Sequence, residues 1–382
     1  MKTELTHLIF TSVEDIPFSW DALAVDTVFL QKKYLKVLEF SKPENMECFF
    51  IGFYENEQLV GIALAQFLDS NKLVSFGERD KLFKNTVRNF VFKKFCSHVL
   101  FIGNNMLTGQ NAFRFHQNIS LPNQVRALLM ACESLKKRFE KTGKKIHIVG
   151  FKDFEKEEAE EMALAGMHSH YQFSAQPNMV FDIREEWYSE TDYIQSLSKK
   201  YRDQYKRARK KLDGIEKRKL NVAEIILNEI TIHELYEIVA KNAPFNTFFL
   251  AKNHFRVLKE QLGHDFLFYG YFLDEKLIGF STLIKNGKVM DTYFLGYDPK
   301  VQKEKMLYLN MLYDMVAYSI NKGFKKIVFA RTALEIKSSI GAKAVDMFGF
   351  VKHETKIIDH WMERIFKYLE PEAKWNERNP FK

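Results

Sequence analysis

At 382 residues the chain is longer than the size at which a single hydrophobic core stops growing, about 250 to 300 residues, so two domains are expected. Hydrophobic residues make up 46% of the chain and 36 residues are phenylalanine, which excludes disorder over most of its length. The net charge of +8 permits attraction to phosphates, anionic lipid or acidic cofactors without selecting one of them.

Cysteine usage and the N-terminus exclude several further classes. The cysteines Cys48, Cys96 and Cys132 lack the spacing of metal ligands, so the sequence predicts neither a disulfide framework nor a metal site. The first residues carry no signal-peptide pattern, and no run of about 18 apolar residues occurs. We therefore expect a soluble, cytoplasmic protein, with peripheral membrane contact left open.

Two segments of the chain share one hairpin pattern, residues 49–61 and residues 268–279. Two glycines, an acidic turn residue and a leucine coincide between them at a constant offset and without a gap, which indicates an internal repeat. The matched positions are Gly52 with Gly270, Glu57 with Glu275, Leu59 with Leu277, and Gly61 with Gly279. Downstream, a predicted helix at 123–141 and a strand at 146–151 have counterparts in the second copy.

A basic segment, residues 193–212, joins the two copies. Apolar or aromatic residues recur in it every three or four places, which predicts one amphipathic helix whose apolar stripe docks against the second copy. Its other face carries Lys199, Lys200, Arg202, Lys206, Arg207, Arg209, Lys210 and Lys211. Like charges at helical spacing repel, so an anionic partner would relieve the cluster, although a solvated face is the ordinary alternative.

The second copy has the clearest order of elements. Alternation and apolar runs predict strands at 266–273, 277–285 and 289–297, then a helix at 302–321 and a strand at 326–330. A short helix at 333–342 and a final strand follow. The order is ββ and then βαβ, as in the first copy.

This tandem arrangement resembles the double GNAT-fold acyltransferases, which comprise the FemAB-type aminoacyltransferases and the FemAB-like predicted N-acyltransferases of bacteria. The resemblance also includes the motif 197–202 in the joining helix, the ending 375–382, and Arg331-Thr332 with Lys337 and Gly341-Ala342. It implies an α/β (α+β) class with two tandem GNAT-like domains, each a mixed twisted sheet flanked by helices. The expected domains are 1–185 and 186–382, the second opening with the basic helix. The implied activity is transfer of an acyl or aminoacyl group to an amine.

One departure from the family concerns coenzyme A. Members that use acetyl-CoA usually carry a glycine-rich segment before the long helix, whose N–H groups bind the pyrophosphate. The corresponding residues, 298–305 and 120–126, contain no glycine. We therefore expect no permanently bound cofactor. Acyl carrier protein or aminoacyl-tRNA fits this absence better than acyl-CoA, which stays possible as a thioester donor.

Asp291, Tyr293 and Tyr297 are the candidate catalytic residues. They alternate along the predicted strand 289–297, so all three are expected on one face of the sheet. Amide formation needs a base for the amine and a proton for the leaving group. Asp291 suits the first role and either tyrosine the second, whereas the alternative is that both tyrosines are core aromatics with their hydroxyls at the rim.

Arg331, Thr332, Glu335 and Lys337 are candidate substrate-binding residues, because they follow the strand 326–330 at the edge where open α/β sheets bind ligands. Arg331 or Lys337 would hold a carboxylate or phosphate of the substrate. In the alternative, Glu335 pairs with Arg331 across one helical turn.

Three functions remain open from the sequence. The leading hypothesis is an N-acyltransferase whose site lies in or beside the second copy, with Arg202, Lys206 and Arg207 of the basic face binding the donor. The second is an aminoacyl-tRNA-dependent FemAB-type transferase of cell-envelope biosynthesis, in which the basic face grips RNA phosphates. The third is a non-enzymatic protein that binds nucleic acid or anionic lipid. No strand alternates aromatic and basic residues, which argues against sequence-specific RNA recognition.

Overall fold

The structure, a computed structural model, describes residues 5–72, 96–242, 246–369 and 375–382. The chain divides into two compact units. Unit 1 comprises Met1–Ala175, Pro244–Ala251 and Asp346–Glu372, and unit 2 comprises Gln176–Ala243, Lys252–Val345 and Ala373–Lys382. Each unit draws on both halves of the sequence, and the predicted domains 1–185 and 186–382 stay a prediction.

The described ranges contain both strands and helices. In chain order, the strands are β1 (Thr6–Phe10), β2 (Met46–Glu55), β3 (Gln58–Asp69), β4 (His98–Ile102), β5 (Phe113–Phe115), β6 (Ile148–Phe154), β7 (Tyr171–Asp182), β8 (Ile215–Lys219), β9 (Phe266–Leu273), β10 (Lys276–Asn286), β11 (Val289–Thr292), β12 (Gly296–Tyr297), β13 (Lys326–Val328) and β14 (Lys343–His353). The helices are α1 (Trp20–Leu23), α2 (Lys32–Ser41), α3 (Leu121–Lys141), α4 (Lys156–Ala165), α5 (Glu190–Ser196), α6 (Lys199–Lys211), α7 (Val222–Leu227), α8 (Glu229–Lys241), α9 (His254–Leu262), α10 (Pro299–Lys305), α11 (Leu307–Asn321), α12 (Leu334–Ser338), α13 (Lys356–His360) and α14 (Met362–Leu369). None of these helices is long and apolar enough to cross a membrane.

Unit 1 is built around helix α3 and the sheet that it covers. Strands β1, β2, β3, β4, β6 and β14 lie side by side in that order. Buried residues recur along α3 at three- and four-residue spacing, so one stripe of the helix faces the sheet. Phe139 at the end of that stripe packs edge-on against Phe49 of β2 at 5.5 Å and lies 4.3 Å from Phe67 of β3, measured between ring centroids.

Unit 2 has a sheet with strands in the order β7, β13, β11, β10, β9 and β8, and helices on both faces. Helix α11 covers one face, where Leu309 and Leu312 share a buried core with Leu283 of β10. Helices α8 and α9 cover the other face. There the ring of Phe255 lies 5.0 Å from that of Phe280 and 5.7 Å from that of Phe268.

The internal repeat is confirmed by the strand registers. Gly52 of β2 pairs with Ile62 of β3, and Gly270 of β9 pairs with Phe280 of β10, which preserves the offset found in the sequence. In both units the third strand of the repeat pairs in parallel with the strand after the long helix, β4 with β6 and β11 with β13. The two copies therefore have the same topology.

The strand that ends each sequence repeat pairs with a strand of the other repeat. β14, which follows the second copy, pairs antiparallel with β6 in unit 1 through Phe350 and Phe151. β7, which follows the first copy, pairs antiparallel with β13 in unit 2 through Phe181 and Ile327. This exchange explains why each unit combines segments from both halves of the chain.

The prediction of one helix at 193–212 is wrong, because the chain breaks between α5 and α6. Leu197 is extended and forms a β-bridge with Phe381, while the Ser198 N–H donates to the Pro380 carbonyl at 2.8 Å. Backbone pairing with the C-terminal segment thus replaces helical hydrogen bonds at this point. The predicted apolar stripe is confirmed, since Tyr201 and Ala208 lie in the core of unit 2.

The predicted helix 302–321 is likewise two helices, α10 and α11. Met306 between them has a left-handed backbone (φ 50°), although the sequence has neither glycine nor proline there. The side-chain amide of buried Asn310 donates to the carbonyls of Lys305 at 3.3 Å and of Met306 at 3.2 Å, and to that of Ala208 at 2.9 Å. The bond to Lys305 gives a partner to a carbonyl group at the end of α10, and the bond to Ala208 joins this position to α6.

Candidate active site

The predicted strand 289–297 is interrupted by a bulge between β11 and β12. Thr292 pairs with Leu283 and Gly296 pairs with Phe280, so three residues of one strand oppose two of the other. Tyr293 continues the pairing of β11 with β10, since its N–H donates to the Thr282 carbonyl at 2.9 Å. One extra residue reverses the face of every side chain that follows it.

The bulge places Tyr297 on a different face from Asp291 and Tyr293. Asp291 pairs with Ile284 and Tyr293 lies opposite Thr282, two positions along β10, so both face the side of α8 and α9. Tyr297 packs on the side of α11, with its ring centroid 6.0 Å from that of Tyr308. The prediction that all three residues share one face is therefore wrong for Tyr297.

Gly296 follows the bulge directly, and its lack of a side chain lets α8 pack closely on the strand. A β-carbon at this position would lie 2.6 Å from the Leu235 carbonyl carbon and 2.7 Å from the Tyr236 nitrogen. The backbone of α8 therefore rests directly on the strand. Only glycine permits this approach, because backbone atoms cannot move aside as the end of a side chain can.

Asp291 is a buried carboxyl group with unused hydrogen-bonding capacity. Only 5% of the residue is exposed, and burial raises the pKa of its carboxyl to about 7, with a hydrogen bond to the Asn286 side chain opposing the rise. Oδ2 has no hydrogen-bond partner among the residues that the structure describes. Buried polar atoms are nearly always paired, and a carboxyl that titrates near neutrality suits proton transfer. Asp291 is therefore the strongest candidate for a general base.

Tyr293 shares its face of the sheet with a histidine that no sequence pattern singles out. His254 is fully buried at the start of α9, and its Nε2 lies 3.0 Å from the Tyr293 hydroxyl oxygen. The two rings are stacked, with centroids 5.8 Å apart and planes inclined by 25°. No motif surrounds His254, and it precedes Tyr293 by 39 residues, so the sequence offered no signal that joins them.

The segment after β13 has an unusual backbone. Ala330, Thr332 and Ala333 all have positive φ angles, 56°, 69° and 48°. Such conformations disfavour residues with a β-carbon, and they concentrate at functional sites. β13 pairs with β11 through Val328 and Asp291, so this strained loop begins at the carboxyl edge beside the candidate base. Burial lowers the pKa of the Arg331 guanidinium in this loop to about 10.

Lys337 of helix α12 holds this loop in place through hydrogen bonds to its main chain. Its ammonium group donates to the carbonyl oxygens of Phe329 at 2.6 Å, Ala330 at 3.2 Å and Arg331 at 2.7 Å. The side chain is buried, which lowers the pKa of its ammonium group to about 7. An ammonium group has three hydrogens, and main-chain acceptors take all three. The predicted role in substrate binding stays a prediction, and this geometry favours a structural role.

We expect Lys337→Met to lower the free energy of unfolding by about 1 to 3 kcal/mol, because it leaves buried carbonyl groups unpaired. The change should also alter the backbone on both sides of Arg331. Urea denaturation and the amide NMR shifts of residues 329–333 measure the two effects. Lys343→Met, at an exposed position, is the control. Equal stability of the two variants would show that the Lys337 hydrogen bonds contribute nothing to the free energy of unfolding.

Glu335 and Thr332 are exposed near this loop. Glu335 accepts a hydrogen bond from the Asn376 N–H at 3.1 Å and pairs with Arg378 at 3.3 Å, which together lower the pKa of its carboxyl. Its observed partners are thus in the C-terminal segment, whereas the helical spacing of the sequence offered Arg331 as an alternative partner.

Helix α6 presents most of its cations outward. Lys206 and Arg207 are exposed, and the Arg202 guanidinium donates to the Leu197 carbonyl at the helix start. The prediction that Arg209 lies on the solvent face is wrong. It turns inward to pair with Asp314 at 2.7 Å and Glu190 at 2.9 Å.

Asp314 of α11 anchors several neighbouring elements of unit 2. Besides pairing with Arg209 of α6, it accepts a hydrogen bond from the Tyr271 hydroxyl of β9 at 2.8 Å and forms a salt bridge with Lys217 of β8 at 3.1 Å. Three donors thus occupy most of the accepting capacity of this carboxylate. This cluster fixes α6 on unit 2, so the outward cations have a defined position.

The corresponding edge of unit 1 is filled by its own side chains. β4 and β6 end there as β11 and β13 do in unit 2. Buried Lys152 donates to the carbonyls of Asn104 at 3.1 Å and Leu107 at 3.4 Å, and pairs with the Asp153 carboxylate. Its side chain lies over Gly103, where a β-carbon would be 2.5 Å from Lys152 Cγ. Lys152 therefore takes up this edge of unit 1.

The connection between β12 and the long helix also has a distinct structure. Residues 299–305 form α10, and the Asp298 carboxylate accepts a hydrogen bond from the Lys300 N–H at 2.8 Å. A negative side chain thus occupies the start of this helix, where an anion would otherwise be favoured.

Comparison with known proteins rests on structure. No family model and no curated protein matches the sequence. FemX superposes on 96% of this chain and 100% of its own, with a TM-score of 0.55 and 11% identity. The chain has the fold of FemX.

Two further solved structures are similar to this chain over most of their length. A tandem GNAT protein from the clavulanic acid biosynthesis pathway is 9% identical, with a TM-score of 0.49 over 92% of this chain and 98% of its own. L-PGS from Bacillus licheniformis is 13% identical, with a TM-score of 0.48 over 90% of this chain and 97% of its own. The predicted class, two tandem GNAT-like units with mixed sheets flanked by helices, is confirmed. The superposition on FemX establishes the fold, and the reaction has to be argued from the residues of this chain.

Proposed function

We propose that this protein is an N-acyltransferase that transfers an acyl group from a thioester to an amine at Asp291 of unit 2. The observation that carries the proposal is a buried carboxyl whose Oδ2 has no partner in the described part of the chain. It lies on the α8 and α9 face, beside the carboxyl ends of a parallel strand pair, where such sheets bind ligands. Its pKa of about 7 supports proton abstraction near neutral pH.

The proposed reaction uses two groups on this face. The amine nitrogen attacks the acyl carbon as its proton passes to Asp291, and the bond from carbon to sulfur then breaks. Tyr293 gives its hydroxyl proton to the departing sulfur. Asp291 has then gained one proton and Tyr293 has lost one, and exchange with water restores both. Tyr297, on the α11 face, has no step in this scheme.

For the donor, we favour a thioester carried by a protein over free acyl-CoA. The Asp298 carboxylate at the start of α10 repels a pyrophosphate from the segment where acetyl-CoA users bind it. The outward cations of α6 suit an acidic carrier, since opposite charge speeds encounter and fixes orientation. Aminoacyl-tRNA is the second candidate donor, favoured by the same cations.

Neutralising three outward cations, Lys206, Arg207 and Lys210, by glutamine should weaken donor binding and flatten its dependence on salt. For a nucleic acid, removing one phosphate interaction lowers the slope of log K against log salt by about 0.7 to 0.9. Titrations with acyl carrier protein and with tRNA at several salt concentrations measure this. The control neutralises the exposed lysines Lys276, Lys322 and Lys343. Unchanged binding of every donor at all salt concentrations would show that the face is ordinary solvated surface.

The proposed function is tested by supplying acyl-CoA, acyl carrier protein and aminoacyl-tRNA with a panel of primary amines, and detecting amides by mass spectrometry. We expect amide from the carrier-bound thioester. Product from aminoacyl-tRNA alone would favour the second candidate. Binding of RNA or anionic lipid without product from any donor would favour a non-enzymatic role and contradict the proposal.

A further inference from the structure

Two histidines of unit 1, His98 and His147, lie where three strands meet. At Ile148, the first residue of β6, the strand pairs in parallel with β4 and antiparallel with β14. His147 directly before it donates its main-chain N–H to the His98 carbonyl, and its own carbonyl accepts from the N–H of Glu354, the residue after β14, both at 2.9 Å. The main chain of His147 thus joins β4 to the end of β14. We call this group of contacts the histidine junction.

The side chains of the two histidines lie against each other at the junction. Their rings are stacked, with centroids 5.2 Å apart and planes inclined by only 9°. The His98 N–H donates to Nδ1 of His147 at 3.4 Å, and the Ser97 hydroxyl oxygen lies 3.4 Å from the same nitrogen. Because a main-chain N–H can only donate, Nδ1 of His147 is an acceptor and carries no hydrogen. The Lys145 carbonyl can only accept, so Nδ1 of His98, 2.8 Å away, carries one.

The surroundings of His147 oppose a positive charge on its ring. The pKa of the imidazole is lowered to about 4, chiefly by burial and then by the charges that His98, His353 and Lys145 can carry. Two parallel rings at this separation repel if both are charged. The ring of His147 is therefore neutral near pH 7, as its accepting Nδ1 requires.

The acidic groups on the elements around the junction have other partners. Asp69 of β3 lies 3.7 Å from Nε2 of His98, and Asp359 of α13 accepts from the His353 N–H at 2.8 Å. The carboxylates of Glu354 and of Glu133 in α3 both pair with Lys136 of α3, at 2.8 Å and 2.6 Å. Within the described ranges no salt bridge joins any of these acids to His147. A proton on His147 would thus add a charge that no carboxylate balances.

We propose that His147 makes the histidine junction an acid-sensitive switch, in which a proton on Nδ1 removes the acceptor of the His98 N–H and opens the pairing of β6 with β4 and β14 at Ile148. No covalent bond changes, so the opening reverses when the pH is raised. The proposal concerns unit 1 and is independent of the transfer proposed at Asp291.

The direction of the effect follows from the lowered pKa. In the open junction the ring titrates at its ordinary value of 6.5, whereas in the closed junction it resists a proton until about pH 4. The junction is therefore at full strength above about pH 6.5 and weakens as the pH falls toward 4. Allowing for solvent screening of a partly exposed ring, we expect the opening constant to rise about 10-fold between about pH 7 and 5.

Hydrogen exchange measures this opening without any substrate. Protection factors of the His147 and Glu354 main-chain N–H groups are compared at pH 7 and pH 5, which removes the intrinsic pH dependence of exchange. We expect protection to fall about 10-fold at the junction and much less in β9 and β10 of unit 2, which serve as the reference. Equal protection at the two pH values, or an equal fall in the reference strands, would overturn the proposal.

His147→Asn tests whether this histidine is the group that responds. Asparagine keeps an acceptor near the position of Nδ1 and cannot become charged, so protection should be nearly the same at pH 5 and pH 7. His264→Asn, at an exposed site in unit 2, is the matched control and should retain the natural fall. A fall in His147→Asn as large as that of the natural protein would show that another group is responsible.

An NMR titration of the natural protein gives a result that does not depend on any variant folding. With signals assigned through the main chain, the carbon-bound ring hydrogens of His147 report its charge directly. We expect the ring to stay neutral at pH 5.5 while the junction is closed. A ring that takes up its proton near pH 6.5, with the junction amides still protected, would contradict the proposal.

Discussion

Asp291→Asn is expected to lower the rate of transfer about 10²- to 10⁴-fold, the range that a positioned acid or base contributes. Asparagine has nearly the same shape as aspartate and can keep a hydrogen bond with Asn286. It cannot accept the amine proton. The loss should therefore appear in kcat and kcat/KM together, because the base acts in the transition state.

The same change is expected to stabilise the protein above pH 7. Burial raises the pKa of Asp291 from its ordinary 3.8 to about 7, so the folded protein holds a proton that the unfolded chain releases. Stability therefore falls as pH rises from about 4 to about 7, at about 1.4 kcal/mol per pKa unit. The full effect at pH 8 is about 4 kcal/mol, and asparagine removes it.

Urea denaturation at pH 5 and pH 8 measures this effect. The gap in stability between the two conditions should be smaller in Asp291→Asn than in the natural protein. Asp203→Asn, at an exposed carboxyl on α6, should leave the gap unchanged. A parallel loss of activity and stability in Asp291→Asn would instead mark Asp291 as a structural hydrogen-bond partner.

Gly296→Ala is expected to destabilise unit 2 by about 3 kcal/mol or more, at the upper end of overpacking effects. The added methyl group would lie within 2.7 Å of the α8 main chain and 2.5 Å from the Phe280 ring. The ring can turn, but the backbone can yield only if α8 moves away from the sheet. Because α8 and α9 cover the face that carries Asp291, activity should fall as well.

The matched control for this change is Gly287→Ala. Gly287 has a positive φ of 59° and no atom within 4 Å of an added β-carbon, so alanine there costs only backbone strain, about 1 kcal/mol. Thermal and urea denaturation of both variants isolate the steric effect. If Gly296→Ala were as stable as Gly287→Ala, α8 would not rest on the strand as the structure has it.

Matched glycines, an acid and a leucine predicted the repeat, and alternation within each segment predicted strands of the second copy. The bounds Phe266–Leu273 agree with the prediction, as does the register of Gly52 and Gly270. Breaks within elements could not be predicted in this way. The helix is interrupted at Met306 close to Asn310, whose side-chain amide donates to Ala208 of α6, and Leu197 leaves the helix to pair with Phe381. Both breaks lie at contacts that local sequence does not display.

The sequence predicted only those parts of the candidate site that lie within one strand. Asp291 was predicted as an acidic residue within the strand 289–297, and it is buried in the structure. The bulge that turns Tyr297 away is next to the contact of α8 with Gly296, a tertiary contact that the strand's own sequence does not display. His254 lies in a separate helix and has no motif. Lys337 and Arg209 show that a cation in a basic or polar stretch can face inward when main-chain or acidic partners lie there.

The pH dependence of kcat/KM shows whether transfer takes place at Asp291, because it reports the titration of the free protein's essential base. We expect kcat/KM to rise with pH through about 7 and then to level off, as the carboxyl loses its proton. In Asp291→Asn this rise should be absent from the residual rate. If kcat/KM of the natural protein were flat between about pH 6 and 8, or if the rise persisted in Asp291→Asn, Asp291 would not be the base.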